Sequence, residues 1–355
     1  MKKVALVLFS NTDFGGAERR LIRIYNELGK NNECDIIVRG CNSIQIFKSR
    51  LEKADCDVSN IHHIKCYDNN LQCFIYLLLC GHYDVVHYID ICGFHQILAN
   101  FLKNSKTKTI FTVAYQNYAY GLIDDKTKRK LIKLINMSCK VDVLFPAGKK
   151  FFYEISTNKN ITVTPGTFTN ISIFKPGKKE KLILFAAARL EKDKNAELLV
   201  EACNISQAKL RSQGYKVTIC GQGFEENHLR NLIKKYNLSD VIDMPGYVKV
   251  SEIIPRAEIF VCVDMVDNYP SQTIAEAVSC GCALICTDVG YSRKCGSEEF
   301  SVFVQNDPKQ LSAAIDVFIE KSDAEKHEII EKARQYAIHN YSIKSSVEYF
   351  EKVMA

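Results

Sequence analysis

Arg189 and Lys194 sit in Arg189-Leu190-Glu191-Lys192-Asp193-Lys194-Asn195, directly behind the apolar run Leu182–Ala187. A guanidinium grips phosphate oxygens two at a time, and an ammonium supplies a compact point charge. Two such cations at a strand's carboxyl end are suited to clamp a diphosphate. A second stretch, Asp267-Asn268-Tyr269-Pro270-Ser271-Gln272-Thr273-Ile274-Ala275-Glu276, follows the apolar run Ile259–Val263. Its turn leads into a helical pattern carrying Glu276, an acid able to accept hydrogen bonds from ribose hydroxyls. Near the start, Phe14-Gly15-Gly16-Ala17-Glu18-Arg19 joins Val4–Phe9 to another helical pattern. Paired glycines let backbone N–H groups approach a ligand, and a helix N-terminus favours negative charge. Taken singly, each feature has an ordinary reading: a solvated basic loop, a surface carboxylate, a tight turn. The glycine pattern is not G-x-G-x-x-G, which speaks against a dinucleotide fingerprint and a nicotinamide-dependent oxidoreductase.

The elements that must hold these residues follow from periodicity. Val4–Phe9 is an unbroken apolar run, as in a strand buried on both faces of a parallel sheet. Apolar residues at 21, 22, 24, 25 and 28 form one helical face, with Gly29 placed as a C-terminal cap. Further strands are expected at Asp35–Val38, Ile61–Ile64, Val85–Tyr88, Thr109–Val113, Val143–Phe145 and Ile161–Thr164. Phe174-Lys175-Pro176-Gly177-Lys178-Lys179-Glu180-Lys181 then breaks the pattern and reads as a linker. The alternation restarts with strands at Leu182–Ala187, Lys216–Cys220, Ile259–Val263 and Ala283–Cys286. Helices are expected at Glu197–Gln213, Glu225–Tyr236 and Thr273–Cys280. Alternating strands and helices predict two doubly wound α/β domains. The domains are expected at 1–175 and 176–340, with a final helix over 341–355 packing back on the first.

The 355 residues carry 47 Lys+Arg against 41 Asp+Glu, and 47% of them are hydrophobic. This composition excludes a disordered chain and a small stapled scaffold. Fifteen cysteines without a C-x-x-C, and without a nearby His to complete a zinc set, predict free thiols in a reducing cytosol. The apolar run after Met1-Lys2-Lys3 is too short for a signal peptide, and Leu71–Cys80 is about half a membrane span. Residues 1–176 hold 24 Lys+Arg and 15 Asp+Glu, a balance of +9, leaving −3 for the remainder. Such asymmetry points to an anionic partner for the first half. Lys126, Lys128, Arg129, Lys130 and Lys133 are interleaved with Leu122, Ile123, Leu131, Ile132, Leu134 and Ile135. That is a basic amphipathic surface fit for anionic lipid headgroups, or a core-facing helix with a solvated basic face. No basic–aromatic interleaving suggests nucleic acid.

The order and separation of these features resemble the retaining GT-B glycosyltransferases, specifically glycosyltransferase family 4, over nearly the whole chain. Gly15-Gly16-Ala17-Glu18-Arg19 resembles the family's N-terminal loop, and Arg189-Leu190 through Lys194-Asn195 its diphosphate signature. Thr162–Gly166 through Phe174-Lys175-Pro176 resembles the stretch that closes the first domain. Ile274-Ala275-Glu276-Ala277-Val278-Ser279-Cys280-Gly281-Cys282 looks like the donor-site helix, and Thr287-Asp288-Val289-Gly290 like the next strand end. The resemblance implies two facing Rossmann-like domains with an interdomain cleft. It also implies a hexosyltransferase that moves a sugar, with retention, from a nucleotide-diphospho-sugar, UDP by family habit. The acceptor would be a glycan or lipid-linked saccharide of bacterial surface polysaccharide synthesis, and the enzyme would sit in the cytoplasm or on the inner membrane face. Arg189 and Lys194 would hold the diphosphate and stabilise its developing charge. Glu276 would bind ribose. Asp267, Asn268, Tyr269, Ser271 and Thr273 would orient the donor, over which Gly15 and Gly16 would close. No metal or other cofactor is implied.

Departures from the family pattern point elsewhere in part. The family shows two acids separated by seven residues; here Asn268 holds the first position and Asp267 lies one residue further away. A His common after the fifth strand is replaced by Ala114, before Tyr115, which leaves His87 and Tyr115 as acceptor-side candidates. Tyr291-Ser292-Arg293-Lys294 lacks an acid many relatives carry. A catalytically silent GT-B protein that binds a nucleotide sugar or a partner enzyme is the alternative. Asp55-Cys56-Asp57 resembles a manganese-binding D-x-D but sits in the wrong domain context.

Overall fold

The computed structural model describes residues 1–9, 16–54, 56–89, 93–114 and 123–355. The chain divides into two units, one of Met1–Gly166 with Lys344–Ala355 and one of Thr167–Ile343.

The first unit runs β1 (Lys3–Phe9), α1 (Gly16–Leu28), β2 (Glu33–Arg39), α2 (Ile44–Lys53), β3 (His63–Tyr67) and α3 (Asn70–Ile75). A π-helical turn, Tyr76–Cys80, extends α3. Next come β4 (Val85–Tyr88), α4 (Gly93–Leu102), β5 (Lys108–Val113), α5 (Asp125–Met137), β6 (Lys140–Val143), α6 (Pro146–Ile155) and β7 (Ile161–Val163). All seven strands pair in parallel in the order β3-β2-β1-β4-β5-β6-β7. Val4 to Leu8 are fully buried, because helices cover both faces of such a sheet. Leu21, Ile22, Ile24, Tyr25 and Leu28 are the buried stripe of α1. Cys73, Leu77, Phe94, Leu98, Leu131, Leu134 and Phe152 bring α3 through α6 onto one shared core.

The second unit runs β8 (Glu180–Arg189), α7 (Ala196–Gln213), β9 (Lys216–Gln222), α8 (Glu226–Lys235), β10 (Ile242–Gly246) and α9 (Val250–Ile253). It continues with β11 (Ala257–Cys262), α10 (Gln272–Ser279), β12 (Ala283–Thr287), β13 (Ser301–Val304), α11 (Pro308–Ile319) and α12 (Asp323–Asn340). Its parallel sheet has the order β10-β9-β8-β11-β12-β13. The last helix, α13 (Ile343–Met354), buries Phe350, Val353 and Met354 in the first unit. Each such side chain contributes about 1.5–3 kcal/mol. Its polar side is tied down by Tyr349 Oη to Asp142 Oδ1 at 2.6 Å and by Lys2 Nζ to the Met354 carbonyl at 2.8 Å.

The division lies at 166/167, upstream of the expected 175/176. Phe174 is buried in the second unit's core. Arg334 holds the carbonyls of Ile171, Phe174 and Ser279, each at 2.8 Å. The Pro-Gly-Lys stretch that reads as a linker is therefore the lead-in to β8. Two strands, β10 and β13, escaped the sequence reading.

Candidate functional site

In a doubly wound sheet, ligands bind beyond the carboxyl ends of the strands where the strand order reverses. In the second sheet that point lies between β8 and β11. Arg189 ends β8, and Lys194 closes the short 3-10 turn Lys192–Lys194 behind it. The end of β9 presses against this loop: Gly221 adopts φ +132°, and a Cβ there would lie 2.1 Å from the Ala187 carbonyl oxygen. Only glycine permits that approach. Leu190 N–H donates to Gln222 O at 2.9 Å, so Arg189 is presented from a braced loop. Its guanidinium is exposed and has no partner among the described residues.

The loop after β11 is stitched to both neighbours. Met265 N–H donates to Asp193 O at 2.8 Å, and Thr287 Oγ1 donates to Asp264 O at 2.7 Å. Asp267 Oδ1 accepts from the N–H groups of Tyr269 (3.0 Å) and Tyr291 (3.1 Å), pinning the turn to the segment after β12. Asp267 is buried, so one of its oxygens is already engaged by its own loop. Asn268 turns inward and donates from Nδ2 to Asp264 Oδ2 at 3.0 Å.

Asp264, which sequence reasoning did not single out, is the central polar group of this loop. It is buried, and its Oδ1 lies 2.7 Å from Lys194 Nζ, while Asp193 Oδ2 is 3.9 Å away. Cys262 Sγ is 3.0 Å from Asp264 Oδ2. Burial pulls the Lys194 pKa down, and the Asp264 carboxylate more than offsets it, so the net shift is upward and the ammonium stays charged. A lone acid just past a strand resembles a surface group, and nothing local signals a partner 70 residues upstream.

Ser271 caps α10 by accepting from Ile274 N–H, 3.4 Å from its Oγ, and Thr273 Oγ1 lies 3.4 Å away. Glu276 is mostly buried on α10. Gln272 Nε2 donates to its Oε1 at 3.1 Å, and Gln272 Oε1 in turn accepts from Thr167 Oγ1 at 2.9 Å. Thr167 and Gln272 orient this carboxylate and were also missed. A cavity of about 560 Å³ lies at the other end of this sheet, lined by Glu180, Lys216 and Asp243 among others, away from these groups.

The first-unit candidates fare differently. Gly15 and Tyr115 lie outside the described residues. Gly16 opens α1, and among the described residues nothing lies within 4 Å of where its Cβ would stand. His87 does not offer an acceptor-side group, because it is fully buried on β4. Its Nδ1 lies 2.8 Å from Tyr25 Oη and its Nε2 2.7 Å from Thr112 Oγ1. Thr112 donates onward to Asp142 Oδ2 at 2.9 Å, so the consistent tautomer carries its proton on Nε2 and accepts from Tyr25. Burial, with Arg20 nearby, lowers the His87 pKa to about 3, so the ring is neutral. Arg20 donates to Thr164 Oγ1 and to the Gly166 carbonyl. Lys126, Arg129, Lys130 and Lys133 are exposed on α5 and Lys128 is half-buried, while Leu131, Leu134 and Ile135 face the core. The apolar side of this helix is thus unavailable to lipid. Asp57 of the D-x-D string binds Asn26 Nδ2 and Ser59; Asp55 is outside the described residues. No set of three metal-ligating side chains occurs among the described residues, and no described helix is long and apolar enough to cross a membrane.

Residues 168–336, nearly the whole second unit, match the sequence model of the family described as Glycosyl transferases group 1. The second unit belongs to the glycosyl transferases group 1 family. A stretch of 132 residues is 31% identical to the N-acetylgalactosamine-N,N'-diacetylbacillosaminyl-diphospho-undecaprenol 4-alpha-N-acetylgalactosaminyltransferase of Campylobacter jejuni, covering 36% of this chain and 34% of that one. Another of 96 residues is 35% identical to the putative colanic acid biosynthesis glycosyltransferase WcaL of Salmonella typhimurium, covering 26% and 23%. The matched stretches thus span about a third or less of these relatives. Anabaena HepE, solved in complex with UDP, superposes with TM-score 0.80 at 14% identity over 99% of both chains. TarM superposes with TM-score 0.77 at 12% identity over 100% of this chain and 99% of that one. Both halves are therefore Rossmann-like α/β units of the GT-B fold.

Proposed function

We propose that this chain is a retaining glycosyltransferase that moves a sugar from a nucleotide-diphospho-sugar, with UDP as the nucleotide, to a glycan or lipid-linked saccharide. The observation that carries this is the placement, on the segments that leave β8 and β11 at the switch point of a group 1 domain, of unpartnered Arg189, Lys194 held by Asp264, and buried Glu276. On this reading Arg189 forks onto the diphosphate, and Lys194 adds a second cation as negative charge develops on the departing nucleotide. Lys194, held by Asp264, needs little reorganisation at the moment of reaction, and Arg189 rises from a loop whose backbone is braced. They can take the part a divalent ion plays in other phosphate chemistry, so the proposed reaction needs no metal. Glu276, held by Gln272 and Thr167, accepts from the ribose hydroxyls. Asp267, Asn268 and Ser271 shape the donor loop through the Tyr269 and Tyr291 amides, Asp264 and the α10 cap, leaving the side chains of Tyr269 and Thr273 to meet the sugar. The printed names of the Campylobacter and Salmonella relatives favour a lipid-linked acceptor of surface polysaccharide synthesis. The exposed basic face of α5 suits work beside an anionic membrane, at the cytoplasmic face.

The test is thermal stability against UDP-, GDP-, ADP- and CMP-sugars and NADH, since a ligand of the folded state raises the melting temperature by mass action. A shift with a UDP-sugar that vanishes in Glu276→Ala supports the donor site. Shifts with none of the nucleotide sugars, or with NADH alone, refute it.

A further inference from the structure

The first unit leaves an apolar face uncovered. Leu71, Ile75 and Leu79 recur at every fourth position along α3 and its π-helical extension, and Ile97 and Phe101 do so on α4. All five are between 42% and 67% exposed. They form one surface: the Phe74 ring packs edge-on against Phe101 at 5.1 Å and against Phe94 at 6.4 Å, joining the two helices. Neither helix carries a charged residue. Soluble surfaces scatter single apolar residues; a joined stripe of this kind marks an interaction site.

Beside the stripe stands the basic face of α5. Gln96 Nε2, next to Ile97, donates to the Lys130 carbonyl at 3.3 Å, so α4 and α5 are neighbours. Lys126, Arg129, Lys130 and Lys133 are exposed there, and none has an acidic partner among the described residues. Lys103 and Lys106 follow α4, also exposed and without an acidic partner among the described residues. Apolar side chains flanked by uncompensated cations match the boundary between acyl chains and anionic headgroups. A second copy of the chain is a poorer match. In a two-fold dimer the same patch faces itself, and against its six cations α5 sets only Asp124 and Asp125, at one end of the basic rim.

We propose that this face docks on an anionic lipid bilayer, with Leu71, Ile75, Leu79, Ile97 and Phe101 entering the interface and the α5 cations lying on the headgroups. The apolar contribution comes from α3 and α4, not from α5, whose own apolar side is spent on the core. The docking stands apart from the transferase reading, because binding is measured without donor or acceptor.

The experiment is vesicle co-sedimentation of the full chain, with phosphatidylcholine alone and with about a third phosphatidylglycerol, at low salt and at ~0.15 M NaCl. The wild type is expected to bind the mixed vesicles and not the neutral ones. Leu79→Glu combined with Phe101→Glu, with retained fold checked by circular dichroism because Phe101 also packs on Phe74, should weaken binding at least ~10-fold at the higher salt. Lys126→Gln, Arg129→Gln, Lys130→Gln and Lys133→Gln together should weaken it most at low salt. Equal binding by the Leu79→Glu, Phe101→Glu variant overturns the proposal, as does wild-type binding to neutral vesicles alone or to none. Light scattering closes the remaining route: a dimer that the apolar substitutions dissolve assigns the face to a second copy and refutes lipid docking.

Discussion

Replacing Asp264 by Asn removes the carboxylate that holds Lys194 while keeping the side chain's shape. The ion pair is short, 2.7 Å, with Asp264 6% and Lys194 25% exposed, and the remaining anion, Asp193, is half-exposed at 3.9 Å. Breaking a fully buried pair by deleting one partner costs about 3–5 kcal/mol, and the quarter of Lys194 that sees water reduces this to about 2–3 kcal/mol. A unit of this size loses roughly 2–4 °C of melting temperature per kcal/mol, so Asp264→Asn should melt about 5–10 °C lower. The sign with pH follows from the same pair. The Lys194 pKa is raised in the folded state, so its contribution is complete below the unfolded value and lost only as pH rises through the folded one. The deficit of Asp264→Asn should therefore be flat from pH 6 to 9 and shrink in strong alkali. In the transferase assay the untethered ammonium should lower turnover by ~10–100-fold while the KM for donor moves less, because the loss falls on orientation. Differential scanning calorimetry and initial rates measure both effects. A melting point within about 1 °C of wild type, together with turnover within about twofold, would show that Asp264 does not position Lys194.

Other perturbations follow from the same contacts. Tyr349→Phe removes the hydrogen bond from α13 to buried Asp142 and should destabilise the first unit by about 1–3 kcal/mol, measured by urea unfolding; an unchanged midpoint would remove α13's polar latch. Gly290→Ala should cost about 1 kcal/mol or more and loosen the donor loop, because Gly290 has φ +53° and its Cβ would stand 2.3 Å from Asp267 Cβ; wild-type stability and donor affinity would contradict this. His87 is neutral in the fold with a pKa of about 3 against 6.5 unfolded, so the unfolded chain takes up the proton first. Wild-type stability should thus fall by up to ~1.4 kcal/mol per pH unit between pH 6 and 4. The slope difference from His87→Gln reads that share directly, and identical slopes would refute it.

Much of the architecture is legible because burial writes itself into composition. Val4–Phe9, Leu182–Ala187 and Ile259–Val263 are apolar throughout, and each is a central strand covered on both faces. The strands that escaped are at an edge. Ile242–Gly246 alternates buried and exposed and contains Pro245, which argues against a strand except at an edge. Ser301–Val304 is short and bonded on one side only. The domain boundary is displaced because Pro and Gly also begin a strand; what assigns 167–176 to the second unit is the grip of Arg334, far along the chain. Arg189, Lys194 and Glu276, the residues of the proposed donor site, are picked out by spacing and family pattern. Asp264, Gln272 and Thr167 are not, since their roles arise from partners that only folding brings near. His87 misleads for the same reason: its burial is fixed by Tyr25 and Thr112 on neighbouring elements.

On the proposed reading the second unit binds a nucleoside diphosphate through Arg189, Lys194 and Glu276. Titration calorimetry of UDP into the wild type, Arg189→Ala and Glu276→Ala tests it most directly. Saturable binding by the wild type is expected, with affinity at least ~10-fold weaker in each variant and the melting temperature unchanged at the exposed Arg189 site. Wild-type affinity retained in both variants would contradict it.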